Sequence, residues 1–159
     1  MDMNLILLTV GKTDIDWVKE GLEVYTSRLK HYVPFQVVEI PELKKAKALS
    51  EEQIKEKEGK LILKQVGPQD QLVLLDERGT EPRSIELAKW LEKQLGTGAK
   101  NLILTVGGAY GFSPSVYRRA NDKLSLSRLT FSHQMVRVIA AEQLYRAFTI
   151  LKGEPSHHE

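Results

Sequence analysis

Residues 102–111 read LILTVGGAYG, an apolar run that passes into three glycines within five positions. The apolar part has the length and composition of a buried β-strand. Glycines directly after a strand let the backbone approach a ligand closely, because no side chain intervenes. Taken alone, the glycine cluster fits a tight turn as well as a cofactor cradle.

Further apolar runs alternate with amphipathic segments on both sides of this stretch. Strands are predicted at 5–10, 35–40, 71–76, 102–106 and 124–126, and helices between them and at 133–152. Strands that are apolar throughout and separated by helices are typical of a parallel sheet covered on both faces. The predicted fold class is therefore α/β, with an open, parallel-type sheet and helices on both faces.

Capping residues and turns predict where these elements begin and end. Helix N-caps are expected at Asp14 or Asp16, at Ser50 in a capping box with Gln53, at Ser84 and at Ser113 before Pro114. Residues 77–80 are expected to turn away from the third strand. No repeat or linker divides the chain, so we expect one domain over residues 1–159.

Composition excludes several kinds of chemistry. The chain has no cysteine, which rules out disulfides, thiolate zinc sites and thiol nucleophiles, and its four histidines have no spacing typical of a metal site. No long apolar run and no signal-peptide pattern is present, so a cytoplasmic protein that does not enter a membrane is expected. Chemistry must come from oxygen and nitrogen side chains or from a cofactor.

Charge alone does not identify a partner. The formal net charge is +2, from 23 basic and 21 acidic residues, which is too balanced to indicate nucleic acid. A local basic group consists of Arg118, Arg119, Lys123 and Arg128. It fits a solvated helix face and a phosphate-contacting patch equally well.

The predicted last helix, 133–152, has apolar residues on nearly every side. One face of a sheet cannot cover all of them, so self-association through this helix is expected. Its polar stripe includes Glu142 and Arg146. These two residues fit an i,i+4 surface ion pair, which stabilises by about 0.3 to 0.5 kcal/mol, as well as a functional role for the arginine.

Three loops carry unusual residue choices where ligands of parallel sheets bind. They are named here the first loop, 74–79, the second loop, 106–111, and the third loop, 125–133. The second loop has the order G-G-x-x-G, which lacks the dinucleotide pattern, and no P-loop motif occurs anywhere in the chain. The third loop alternates hydroxyl and apolar residues, which suits a snug adenine pocket.

The three loops, taken together, resemble a known family. LDERG (75–79), TVGGAYGFS (105–113), LSLSRLTFSHQMVR (124–137) and AAEQLYRAFTILKGEPSHHE (140–159) are similar in order and spacing to the ribosomal RNA large subunit methyltransferase H family of the SPOUT superfamily. The resemblance covers essentially the whole chain.

The resemblance implies a C-terminal trefoil knot, a homodimer, and methylation of N3 of a pseudouridine in 23S ribosomal RNA within the assembled ribosome. S-adenosyl-L-methionine is the implied cofactor, bound between the three loops. The implied binding residues are Leu75, Asp76, Gly107, Gly108, Ser127, Arg128, Leu129, Thr130, Phe131 and Ser132.

Methyl transfer to this nitrogen requires loss of an imide proton, which titrates about two pK units above neutral pH. His157, with its neighbour His158, is the predicted proton acceptor, and Arg137 or Arg146 is predicted to hold phosphate or the developing anion. The tail histidines also fit a disordered chain end. Ser156 stands where the family has tyrosine, which removes a ring that could stack on a base.

Two other functions remain open from the sequence. A non-catalytic ribosome-binding protein could keep the cofactor pocket, and the departure at Ser156 is consistent with lost turnover. The alternating strands and helices, taken alone, also fit a flavodoxin-like nucleotide-binding protein. Binding of S-adenosylmethionine rather than flavin would exclude the latter, and methyl incorporation would exclude the former.

Overall fold

The computed structural model describes residues 3–44 and 46–155, which form five strands and five α-helices. The strands are β1 (Asn4–Val10), β2 (Phe35–Ile40), β3 (Gln71–Thr80), β4 (Asn101–Val106) and β5 (Asp122–Leu124). The helices are α1 (Asp16–Leu29), α2 (Glu51–Lys64), α3 (Ser84–Leu95), α4 (Pro114–Arg119) and α5 (Met135–Leu151). A short 3₁₀ turn, Ala46–Ala48, precedes α2.

The strands make one sheet in the order β2-β1-β4-β3-β5, and every neighbouring pair is parallel. Successive side chains of a strand point to opposite faces, so Leu7 and Leu8 on β1 enter two different cores. Helices α1, α3 and α5 cover the first core, and α2 and α4 cover the second. The predicted parallel α/β sheet with helices on both faces is confirmed.

The register brings three strand ends together. Leu75 of β3 lies opposite Val106 of β4 and also opposite Leu124 of β5. Because these strands are parallel, the residues that follow Leu75, Val106 and Leu124 lie at the same edge of the sheet. The first, second and third loops are therefore neighbours in space.

The third strand is longer than predicted. Residues 77–80 continue β3 instead of turning away, and the register with β5 shifts between Leu75 and Thr80. Ser125 donates its amide hydrogen to the Thr80 carbonyl at 2.8 Å, which holds this extension in place. A side-chain carbon at Gly79 would lie 2.6 Å from the Leu124 nitrogen, so glycine is what permits the close approach of β5.

Two of the predicted N-caps are confirmed. The Ser50 hydroxyl accepts the Gln53 amide hydrogen at 3.2 Å, and the Gln53 side chain accepts that of Ser50 at 2.9 Å. Ser113 caps α4 by accepting the Val116 amide hydrogen at 3.3 Å. In both places a serine precedes the helix with extended backbone geometry.

The other two predicted caps are wrong. Helix α1 begins at Asp16, and its N-cap is Ile15, which makes no side-chain cap hydrogen bond. Neither Asp14 nor Asp16 therefore caps this helix. Ser84 is the first residue of α3 rather than its cap. The Glu86 carboxylate instead accepts the amide hydrogen of Arg83, which occupies the cap position, at 2.8 Å. Each observed cap lies one residue away from the predicted one.

Helix α5 packs between α1 and α3, which bury one broad side of it within this chain. The buried residues are Arg137, Ala140, Ala141, Leu144, Ala147, Phe148 and Thr149. Glu142 and Arg146 form the expected i,i+4 ion pair at 2.7 Å. Part of the surface that prompted the prediction of self-association is therefore covered without a second chain, and the homodimer stays a prediction.

No helix among the described residues has both the length and the apolar character that crossing a membrane requires.

Candidate cofactor-binding site

A cavity of about 850 Å³ lies at the carboxyl edge of β3, β4 and β5. Its wall contains 75–78 from the first loop and β3, 106–112 around the second loop, and 125–127 and 129–131 from the third loop. Lys55, Pro114, Tyr117, Arg118, His133 and Val136 complete the lining. The volume is within the range of about 300 to 1,000 Å³ that is typical of small-molecule sites.

The second loop is packed tightly at its two leading glycines. A side-chain carbon at Gly107 would lie 3.1 Å from the ring of Phe112, and one at Gly108 would lie 2.7 Å from the Glu58 carboxyl oxygen Oε2. Gly111 has a φ of 85°, a conformation that other residues rarely adopt. A side chain at Gly107 or Gly108 would therefore require Phe112 or Glu58 to move, and one at Gly111 would strain the backbone.

In the first loop, Asp76 is held by two donors. The Arg78 amide donates to Oδ1 at 2.9 Å, and the Tyr117 hydroxyl donates to Oδ2 in a short hydrogen bond. Burial, and then this bond to Asp76, raises the pKa of Tyr117 to about 12. Tyr117 therefore remains a proton donor at physiological pH and fixes the carboxylate at the cavity wall.

Hydroxyl groups of the third loop stabilise the loop itself. The Ser125 hydroxyl donates to the Ser127 carbonyl at 3.0 Å, and the Ser127 hydroxyl accepts the Leu129 amide hydrogen at 3.0 Å. Ser132 accepts the Met135 amide hydrogen at 3.0 Å and so supports the start of α5. These bonds hold in shape the loop whose residues 125–127 and 129–131 line the cavity.

Most of the predicted cofactor-binding residues meet at this cavity. Its lining includes Leu75, Asp76, Gly107, Gly108, Ser127, Leu129, Thr130 and Phe131. Arg128 and Ser132 are outside the lining. The Arg128 side chain is 95% exposed and lies 3.6 Å from Glu81. Cofactor binding by all ten residues stays a prediction.

Arg137, predicted to act in catalysis, is buried outside the cavity lining. Its guanidinium donates to the carbonyls of Val10 and Gly11, each at 3.0 Å, and its Nε donates to the His133 carbonyl at 3.0 Å. Glu39 lies 3.6 Å away. Burial lowers the pKa of Arg137, and Glu39 counteracts this effect. The geometry fits a clamp that joins the end of the third loop to β1.

Arg146, also predicted to act in catalysis, is outside the lining too. Arg146 donates to Glu142 through Nε and Nη2, at 3.1 and 2.7 Å, on α5. His157, like Ser156 and His158, lies outside the described residues. The catalytic roles of Arg137, Arg146 and His157 stay predictions.

Sequence reasoning missed several residues of the wall. His133 is exposed and lines the cavity, although it stands inside the quoted LSLSRLTFSHQMVR motif. Lys55 and Tyr117 reach the wall from α2 and α4. No sequence signal marks these two, because their position depends on how the helices pack across the sheet.

Comparison with known proteins identifies the family. The model described as "Predicted SPOUT methyltransferase" matches residues 3–157. The chain belongs to the SPOUT methyltransferase family. The predicted family resemblance is confirmed, and with it the expectation of a methyltransferase that uses S-adenosylmethionine.

Relatives of this SPOUT methyltransferase extend along its whole length. Ribosomal RNA large subunit methyltransferase H from Parabacteroides distasonis is 53% identical over 157 residues, which are 99% of this chain and 100% of the relative. The protein of the same name from Cytophaga hutchinsonii is 53% identical over 156 residues, covering 98% of this chain and 100% of the relative.

A solved structure supports the fold. The probable methyltransferase from Bordetella pertussis superposes with a TM-score of 0.55 at 12% identity, covering 92% of this chain and 93% of that one. At this identity the likeness concerns the fold alone.

Proposed function

We propose that this SPOUT methyltransferase transfers a methyl group from S-adenosylmethionine to N3 of a pseudouridine in 23S ribosomal RNA. The chain is an rRNA methyltransferase by family and by relatives of the same length that are about half identical to it. The observation that carries the proposal for the site is the meeting of three loops, from the adjacent strands β3, β4 and β5, around one cavity.

The residues present fit S-adenosylmethionine. The second loop offers backbone without side chains at Gly107 and Gly108, the third loop offers backbone and apolar contact, and Asp76 offers a fixed carboxylate. When bound, the cofactor supplies an activated methyl group, so the protein is left with alignment of the target and removal of its proton.

Removal of the imide proton needs an acceptor near the cavity. His133 lines the wall, and histidine is the side chain that most often acts as a general base in enzymes. Asp76 is less suited, since both of its oxygens already accept hydrogen bonds. His133 therefore joins His157 as a proposed proton acceptor. Arg146 and Arg137 are proposed to stabilise the anion, either directly or by holding the third loop in place.

The proposal includes one cytoplasmic domain over residues 1–159, a trefoil knot in the C-terminal part, and a homodimer. The homodimer is supported by apolar side chains that this chain leaves open on and next to α1: Ile15, Trp17 and Val24 are 38%, 59% and 45% exposed. These three side chains lie within ten residues of the chain, and an interface between copies would cover them.

Labelled methyl transfer tests the proposed reaction. Ribosomes from cells that lack the modification are incubated with the protein and methyl-labelled S-adenosylmethionine, and the RNA is digested and analysed by mass spectrometry. We expect one N3-methylpseudouridine per large subunit. Binding to ribosomes and to the cofactor without methyl incorporation would favour the non-catalytic ribosome-binding protein instead. Free 23S RNA as a parallel substrate decides whether assembly is required.

The two proposed acceptors are separated by His133→Gln and His157→Gln, with His31→Gln as the control. His31 is exposed beside Pro34, outside the cavity lining. The single-turnover rates are compared across a range of pH, and loss of the acceptor should lower the rate about 10²-fold near neutral pH, where the imide is still mostly protonated. An unchanged profile excludes the histidine that was replaced.

A further inference from the structure

Glu58 of α2 is a partly buried acid that the proposed reaction does not use. Its oxygen Oε1 is buried and has no hydrogen-bond partner within the part of the chain that the structure describes. Burial, and then the nearby Glu42, raises the pKa of Glu58. A buried carboxyl oxygen without a partner is unfavourable, so its retention calls for a reason.

The Glu58 carboxyl fills the space that a side chain would occupy at position 108. A carbon placed on Gly108 would lie 2.7 Å from Oε2 and 2.9 Å from Cδ, with Oε1 closer still. Contacts this short are not compatible with any residue other than glycine unless Glu58 moves. The carboxyl therefore packs directly on the second loop.

The next residue of α2 makes a second contact with the segment that follows the loop. Gly59 is buried, and a carbon placed on it would lie 2.5 Å from the Ser113 hydroxyl and 3.2 Å from Val116. Ser113 in turn caps α4. Two consecutive residues of α2 thus contact position 108 and position 113, at the two ends of one segment.

We propose that Glu58 is a positioning residue, whose carboxyl supports the second loop from behind and holds the Gly107–Gly108 backbone in the shape that receives the cofactor. The support comes from the volume of the carboxyl group rather than from its charge. Lys55, one turn earlier on α2, pairs with Glu52 at 3.0 Å and lines the cavity itself. The inference rests on the proposed binding of S-adenosylmethionine at this cavity.

A double-mutant cycle between positions 58 and 108 tests this arrangement. The variants are Glu58→Ala, Gly108→Ala, the double variant and the isosteric Glu58→Gln, with Glu56→Ala on the exposed side of α2 as the matched control. S-adenosylmethionine affinity is measured by calorimetry, the melting temperature of the free protein by calorimetric scanning, and KM and kcat with ribosomes.

We expect Gly108→Ala to weaken cofactor affinity about tenfold and to lower the melting temperature, because the new methyl group meets the carboxyl. Glu58→Ala should weaken affinity about threefold to tenfold and raise KM for the cofactor with little change in kcat. In the Glu58→Ala background, Gly108→Ala should have almost no further effect. Glu58→Gln and Glu56→Ala should bind as wild type does.

The inference would be overturned if Gly108→Ala lowered cofactor affinity equally in the wild-type and Glu58→Ala backgrounds. It would also be overturned if Glu58→Gln lowered cofactor affinity as much as Glu58→Ala does. The melting temperatures are measured on the free protein, so they report the coupling between positions 58 and 108 whether or not the proposed function is correct. If the wild type bound no S-adenosylmethionine, that function would fail, and coupling between positions 58 and 108 would still be read from the free protein.

Discussion

At the scale of single residues, Gly107 shows how the cavity depends on a missing side chain. Its backbone leaves β4 beside the Phe112 ring, where an added carbon would be 3.1 Å from the ring atoms. We predict that Gly107→Val displaces Phe112 and narrows the cavity. Overpacking of about 1 to 3 kcal/mol corresponds to a loss of affinity for S-adenosylmethionine of roughly 5- to 150-fold.

Calorimetric titration with the cofactor measures this loss. Gly96→Ala is the control, because a carbon at Gly96 meets its nearest atom, the Lys93 carbonyl oxygen, at an ordinary 3.5 Å. Retained affinity in Gly107→Val would show that the second loop does not form the binding wall.

Tyr117 provides a second test at this scale, through its hydroxyl. Its pKa of about 12 lies above the ordinary value of 10.0, so the stability gained from its bond to Asp76 is present at and below pH 10 and is lost as the pH rises through about 12. Ultraviolet titration should show one fewer phenol that ionises well above pH 10 in Tyr117→Phe than in wild type. Cofactor affinity should fall about tenfold, since a hydrogen bond to a charged group is lost.

The same titration should show a phenol that ionises at high pH in both proteins, Tyr32, because burial and then Glu154 raise the pKa of Tyr32 to about 12. Tyr32 is therefore an internal reference. If the late-ionising signal were the same in both proteins, the Tyr117–Asp76 bond would not exist in solution.

Some of these residues could be predicted from the sequence and others could not. Gly107 and Gly108 directly follow an apolar strand, and local sequence is enough to mark such a loop. Tyr117 and Lys55 come from helices on one face of the sheet, and only tertiary packing brings them to the cavity. Arg137 could be singled out from its motif, but its burial against β1 could not.

At the scale of secondary-structure elements, Arg137 connects α5 to β1. Its buried guanidinium donates to Val10, Gly11, His133 and the Thr13 hydroxyl, the last at 2.8 Å. We predict that Arg137→Met lowers the free energy of unfolding by about 3 kcal/mol, because the buried Gly11 carbonyl and two less buried carbonyls lose their donor.

Denaturation in urea measures that change, and Arg119→Met is a control that also loses bonds to two carbonyls, at 2.8 and 2.9 Å, but is not fully buried. Arg119→Met should lose less stability than Arg137→Met. Full stability of Arg137→Met together with lost turnover would instead support the catalytic role that the sequence predicted.

The strand lengths show which parts of the sheet the sequence pattern predicts and which it does not. The apolar runs of β1, β2 and β4 predict these strands to within one residue, because buried parallel strands require continuous apolar sequence. The polar residues 77–80 give no such signal. They remain extended only because β5 pairs with Thr80 across Gly79, which is a tertiary contact.

At the scale of the whole molecule, the proposed homodimer has a specific consequence for α1. Trp17 is 59% exposed on this helix, which belongs to the sheet face that α5 also covers. We predict that wild type sediments as a dimer and that Trp17→Glu shifts it toward monomer, since a charge is placed in an apolar interface. Lys64→Glu, on α2 across the sheet, should remain dimeric. Monomeric wild type at working concentration would contradict the proposal.

The proposed site requires that three loops from neighbouring strands bind one S-adenosylmethionine. Amide chemical shifts of the labelled protein, followed during titration with the cofactor, test it most directly. The predicted result is that the largest shifts fall at 75–78, 106–112 and 125–133, and that residues 30–36 at the opposite edge of the sheet do not move. Shifts centred on 30–36, or changes in only one of the three loops, would contradict the account.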